Sequence, residues 1–157
     1  MMKNIFTFYF LALFPCGLFA GDVTKGDASK NNKAALEDTK EQLTDFVVGN
    51  YQLIGKSFES DITYAGRAEL SLTAQGLLIK RTINGKVVEG RGAIETIMAD
   101  NIPILRLHFK SAATELEETC LVDSDLDNYA RLTCHLYKPG IETEHPGMEA
   151  YFIDRAD

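Results

Sequence analysis

The chain of 157 residues has no tryptophan, three cysteines, three histidines and four prolines. Each shortage closes off a class of explanation. The histidines stand at 108, 135 and 145 and the cysteines at 16, 120 and 134, with no Cys-x-x-Cys or His-x-x-x-His spacing, so no zinc site is written locally. No Gly-x-Ser-x-Gly and no glycine-rich phosphate loop occurs, and no histidine lies beside a plausible nucleophile. His108 and His135 fall on outer strand faces and His145 in a loop before Pro146, so the chain reads as a protein that is not an enzyme and needs no cofactor. A block of positive charge is missing too: 16 lysines and arginines face 23 acids, a net charge of −7. That balance argues against nucleic acid and against anionic membrane surfaces as partners. There is no internal repeat and no low-complexity segment.

Apolar runs are short as well, and the one near the start has a different meaning. Lys3 is the single charge in residues 1–20, Ile5 to Phe14 is apolar, and Leu18-Phe19-Ala20 places a small residue before Gly21. This is the pattern of a secretory signal peptide, cleaved after Ala20. An uncleaved anchor is the alternative, but Pro15 and Gly17 interrupt a run shorter than the ~20 residues that a span requires. Leu13-Phe14-Pro15-Cys16 looks like a lipobox in outline, yet a small residue belongs where Pro15 stands. The expectation is an exported protein, periplasmic or secreted, with no membrane span in the mature chain. Residues 21–33 read as a disordered polar tail and residues 34–157 as a single domain with one modest core.

Two cysteines remain after the leader, an even pair suited to an oxidising compartment, and a disulfide between Cys120 and Cys134 is expected. If the stretch between them is an antiparallel hairpin centred on Asp127, paired positions sum to 254. Cys120 then faces Cys134, Thr119 faces His135, Val122 faces Leu132 and Asp123 faces Arg131. One face carries Leu116, Glu118, Cys120, Val122, Leu132, Cys134 and Leu136, and the other is polar.

The rest of the chain follows the same period. Ala34 to Val47, with Leu36, Leu43, Phe46 and Val47 at helical spacing and Asn31 or Asn32 as a cap, predicts one short amphipathic helix. From Val47 the period becomes two. Strands are expected over 47–55, 64–73, 76–83, 86–94, 102–109, the two arms of the cysteine hairpin, and 148–153. Asn84-Gly85 is a strong two-residue hairpin signal, which makes its flanking pairs sum to 169 and places Arg81 opposite Val88. A two-residue turn at Ala74-Gln75 pairs Leu70 with Ile79 and Glu69 with Lys80. A glycine bulge at Gly76 would shift those pairs by one.

Eight short antiparallel strands joined mostly by tight turns predict a mostly β fold, an eight-stranded antiparallel up-and-down barrel with one short N-terminal helix. Over residues 46–153 the meander, together with Gly49-Asn50-Tyr51, resembles the calycin group of lipocalins, fatty-acid-binding proteins and avidins. Gly49-Asn50-Tyr51 is similar to the Gly-x-Trp of a first lipocalin strand, with tyrosine in the place of tryptophan. The resemblance implies a barrel with a ligand-binding interior and carries over no binding residue.

Candidate sites come from charges placed on inward faces. Arg81 and Glu118 both point into the barrel, and a buried charge demands a partner. Arg81 either meets a ligand carboxylate, flanked by Tyr51 and by the space that Gly90 and Gly92 leave, or pairs with Glu118 or reaches the rim. Asp123, Asp125 and Asp127 have the spacing of the first half of a calcium loop. Cys134 at the twelfth position and flanking strands instead of helices favour a solvated hairpin tip. The expected function is an exported barrel that binds a small apolar or amphipathic ligand. The alternatives are a protein-binding module, such as a hydrolase inhibitor contacting its target through residues 21–33 or 138–147, and a secreted factor acting on a host. A solid interior would favour the protein binder and an open cavity the ligand binder.

Overall fold

The structure is a computed structural model that describes residues 25–98, 101–122 and 130–154, with side chains from residue 33 onward. One helix, α1 (Lys25–Val47), precedes eight strands: β1 (Gly49–Lys56), β2 (Thr63–Thr73), β3 (Gly76–Ile83), β4 (Lys86–Ile97), β5 (Ile102–Ser111), β6 (Thr114–Val122), β7 (Ala130–Tyr137) and β8 (Gly147–Ile153). Each strand pairs antiparallel with the next, and β1 pairs with β8, so the sheet closes into an up-and-down barrel. The segment expected to be a signal peptide and the aspartates at 123, 125 and 127 lie outside the described residues.

Turn chemistry sets the registers. Asn84 and Gly85 adopt left-handed φ values of 51° and 75°, the pair of conformations that a two-residue hairpin turn requires. Arg81 therefore faces Val88, and Lys80 faces Glu89, as the spacing predicts. The Ala74-Gln75 turn is also two residues long, with no bulge at Gly76, and Glu69 faces Lys80. The cysteine hairpin keeps its expected register: Cys120 faces Cys134, Thr119 faces His135 and Val122 faces Leu132. The two cysteines form a disulfide buried in the barrel wall. Arg131 donates to the Phe46 carbonyl at 3.1 Å and lies over its ring, and its expected partner Asp123 lies outside the described residues.

The helix departs from expectation. It starts at Lys25 instead of Ala34, so residues 25–33 are helical and not a disordered tail. That segment has no proline, and a lone Gly26 beside the terminus is tolerated. Leu36, Leu43 and Val47 form its inward stripe, and Val47 is wholly buried. With Leu43 and Val48 it packs onto the core at one end of the barrel. Burying one such side chain contributes about 1.5–3 kcal/mol. Below mid-height the interior is filled by Leu53, Leu70, Ile79, Leu105, Leu107, Leu132 and the disulfide. Leu72, in phase with the buried Ala68 and Leu70, is half exposed at the end of β2.

Candidate functional site

The other half of the barrel is open. A cavity of about 810 Å³ lies at the end formed by the loops after β1, β3, β5 and β7. Its walls are apolar: Phe58, Ile83, Val88, Phe109, Leu116 and Leu136 among them. Tyr64 and Arg81 line its deepest part. On one side of the mouth two loops are latched together. The Glu59 N–H donates to the His145 carbonyl at 3.2 Å, and Lys138 pairs with Glu59 at 3.8 Å while lying over the Phe58 ring.

Beneath the cavity a polar layer crosses the barrel. Arg81 projects from β3, Glu118 from β6, Glu149 and Tyr151 from β8, and Tyr64 from β2. Arg81 Nη2 and the Tyr64 hydroxyl both donate to Glu149 Oε1. Gly55, which faces both Tyr64 and Glu149 across β1, makes this possible, since a Cβ there would sit 2.7 Å from the Tyr64 ring. Arg81 Nη2 also lies 3.5 Å from Glu118 Oε1, and the guanidinium stacks on Phe109 with 4.1 Å to the ring centre.

The Tyr151 hydroxyl lies 2.6 Å from Glu118 Oε2 and 2.9 Å from Glu149 Oε2. One hydroxyl proton cannot serve two carboxylates, so the second bond needs a proton on one of the acids. Glu149 already receives Arg81 and Tyr64, which leaves Glu118 as the protonated member. Electrostatics agree: burial first, then the nearby Glu149, raise the Glu118 pKa well above the ordinary glutamate range, and Arg81 only partly opposes this. Burial and the two acids likewise raise the Tyr151 hydroxyl. For Arg81, burial alone would lower the pKa, but Tyr151, Glu118 and Glu149 raise it further than burial lowers it. The layer thus holds a guanidinium, a carboxylate and a carboxylic acid, with no net charge. Glu118 Oε1 and Arg81 Nε are buried without a hydrogen-bond partner among the described residues.

The three expected ligand residues separate. Arg81 lines the cavity, and Glu118 lies in the layer next to it. Tyr51 does not flank the cavity: its hydroxyl donates to the Val47 carbonyl at 2.6 Å, and its ring meets Tyr151 edge-on. It fastens the helix to the barrel. The space expected beside Gly90 and Gly92 is taken by Phe109 and Leu107, since a Cβ at either glycine would come within 2.8 Å of those side chains. Glu149 was not anticipated. It is in phase with Tyr151 and Ile153 on β8, but Met148, Ala150 and Phe152 make the opposite face equally apolar, so alternation alone does not orient that strand.

A second polar group lies on the outer wall. Arg106 donates to Glu95 at 2.7 Å, to Glu117, and to Thr119 and Tyr137 at 3.1 and 2.9 Å, while His108 approaches Glu117 at 3.3 Å. It is a cross-strand brace over β4 to β7, half-buried and without a cavity of its own. Among the described residues, Glu118, Cys120 and Cys134 are the one group with metal-ligand atoms close together. The two sulfurs are bonded to each other, which leaves one carboxyl group and no metal site.

Compared with known proteins, the chain matches no family model, no curated protein and no solved structure. The closed antiparallel barrel is compatible with a calycin-like fold. No helix among the described residues is long and apolar enough to cross a membrane, and the disulfide fits an exported protein.

Proposed function

We propose that this is an exported, non-enzymatic binding protein that takes an apolar or amphipathic small molecule into the open half of a calycin-like barrel. One observation carries the reading. The cavity of about 810 Å³ has apolar walls and a polar floor in which Arg81 is already paired with Glu149, and its size falls within the roughly 300–1,000 Å³ of small-molecule sites. A barrel packed solid from end to end would have supported a protein binder instead. The test is native mass spectrometry of protein purified from its own source, together with an environment-sensitive apolar probe. Leu116→Trp, which fills the cavity from β6, is expected to weaken probe binding by at least about tenfold while the melting temperature stays within a few degrees. No co-purifying small molecule, together with no saturable probe binding by the natural chain, would refute the reading.

A second reading draws on the rim. Ile62, Val87 and Ile141 are 70%, 55% and 63% exposed at the open end, an apolar edge suited to a protein partner such as a hydrolase. A protein that co-purifies while the cavity stays empty would favour it.

A further inference from the structure

The polar layer beneath the cavity holds one more acid than its cation can balance. Glu118 enters it from β6, with Leu107 of β5 and Leu136 of β7 as its register partners. The titratable groups that face it are Arg81 from β3, Glu149 and Tyr151 from β8, and Tyr64 from β2. On the inner face of β4 stand Val88, Gly90 and Gly92, none of them titratable. From β1 come Gly55, which has no side chain, and Tyr51, whose hydroxyl turns away to the Val47 carbonyl. Arg81 is therefore the one cation within reach. Its Nη2 is bonded to Glu149 Oε1 and stops 3.5 Å short of Glu118 Oε1. That oxygen and Arg81 Nε are both buried without a hydrogen-bond partner among the described residues. An acceptor and a donor are thus left in reserve on the two groups that this gap separates. Arg81 and Tyr64 also line the deepest part of the cavity, so whatever occupies the cavity lies against this layer.

We propose that Glu118 is a proton switch for the cavity, which captures apolar molecules while Glu118 holds its proton and releases them when the proton leaves. This rests on the reading of the cavity as a ligand site and adds its regulation. With the proton in place the layer has no net charge, and Arg81 stays on Glu149. Without it, two carboxylates share one guanidinium, and Arg81 is drawn across the gap to serve both. The layer then carries a buried negative charge and needs water, which an apolar occupant would exclude. Burial and Glu149 hold the Glu118 carboxyl above the ordinary glutamate range, and burial first of all raises the Tyr64 and Tyr151 hydroxyls too, so these keep their protons while Glu118 ionises. Capture therefore belongs to lower pH and release to higher pH. The coupling is reciprocal: an occupant that keeps water from the floor favours the neutral acid, so binding takes up a proton.

Titration with phenylnaphthylamine, an uncharged apolar dye, from about pH 5 to about pH 10 tests the proposal, with circular dichroism confirming the fold at each pH. Affinity is expected to be constant at the acid end and then to fall by up to about tenfold per pH unit, the limit for a single proton. In the falling range, calorimetry in two buffers of different ionisation enthalpy should record uptake of part of one proton for each dye bound. Glu118→Gln should flatten the affinity profile and abolish the uptake. Glu149→Gln, which gives Glu118 sole use of Arg81, should move the fall to lower pH. Proton uptake is read on the natural chain, so the test holds even if a variant fails to fold. An affinity that is flat in pH with no proton uptake, or a fall that persists in Glu118→Gln, overturns the switch and leaves the cavity reading standing. No binding of the dye at any pH overturns both.

Discussion

Glu118 offers a direct measure of whether the polar layer is neutral. In the unfolded chain its carboxyl titrates near the ordinary value of 4.5, whereas in the folded barrel burial and Glu149 raise it well above that. Across the interval between these two values the folded state holds a proton that the unfolded state has released. Stability from this group is therefore complete below about pH 4.5 and declines as pH rises toward the folded-state value, at about 1.4 kcal/mol per pH unit. For a domain of this size that is about 4 °C of melting temperature per unit. Glu118→Gln removes the titration while keeping one acceptor oxygen and placing an N–H where the acid's O–H lies. Urea unfolding of both proteins at pH 5, 6, 7 and 8 gives the comparison. The difference in stability should move against the natural chain by about 1.4 kcal/mol for each unit, until Glu118 ionises in the fold. Parallel curves, or a natural chain that gains on the variant as pH rises, would mean that Glu118 is ionised in the barrel and that the neutral floor is wrong.

Two other substitutions probe what holds the helix end together. Replacing Cys120 and Cys134 by alanine frees a loop with a sequence separation of 14 and should cost at least about 3 kcal/mol in chemical denaturation, with lost packing added to lost cross-linking. A cost below ~1 kcal/mol would show that the barrel wall does not depend on the bond. Tyr51→Phe leaves the buried Val47 carbonyl without its 2.6 Å partner and should cost about 1–3 kcal/mol. Hydrogen exchange should quicken at residues 43–48 and leave β5 unchanged; uniform quickening would refute the role of Tyr51 as a local fastener.

Legibility in the sequence followed the strength of local geometry. Asn84-Gly85 and the cysteine pair each admit one register, and the register they imply is the one observed. Arg81 could be placed on the inner face for that reason. The connections at 98–101 and 112–113 contain no glycine or proline, so the registers of β5 against its neighbours were not written locally. The Arg106 brace depends on those registers and went unseen. Glu149 was missed because both faces of β8 are apolar, and the partner of Arg81 could not be named without knowing that β8 closes on β1. Tyr51 was placed inward correctly, but its height in the barrel, and hence its partner Val47, depends on where the helix ends. An alternating pattern tells which side of the sheet a residue faces; it does not tell its height along the barrel axis.

That height explains why polar groups tolerate this interior at all. A fully packed barrel would surround Arg81 and Glu149 with hydrocarbon, where removing two charges from water costs several kcal/mol for each ion. Here the layer is backed on one side by Leu70, Ile79, Leu107 and the disulfide, and on the other it meets the cavity. Tyr64 and Tyr151 supply the hydroxyls that the carboxyls need, so little of the layer's bonding capacity is left to a ligand. The packed half, plugged by Val47, provides the burial that stabilises the fold, and the opposite half is free to stay empty. A ligand that displaced Glu149 from Arg81 would have to separate the guanidinium from a carboxylate it already holds and then bury that carboxylate unpaired.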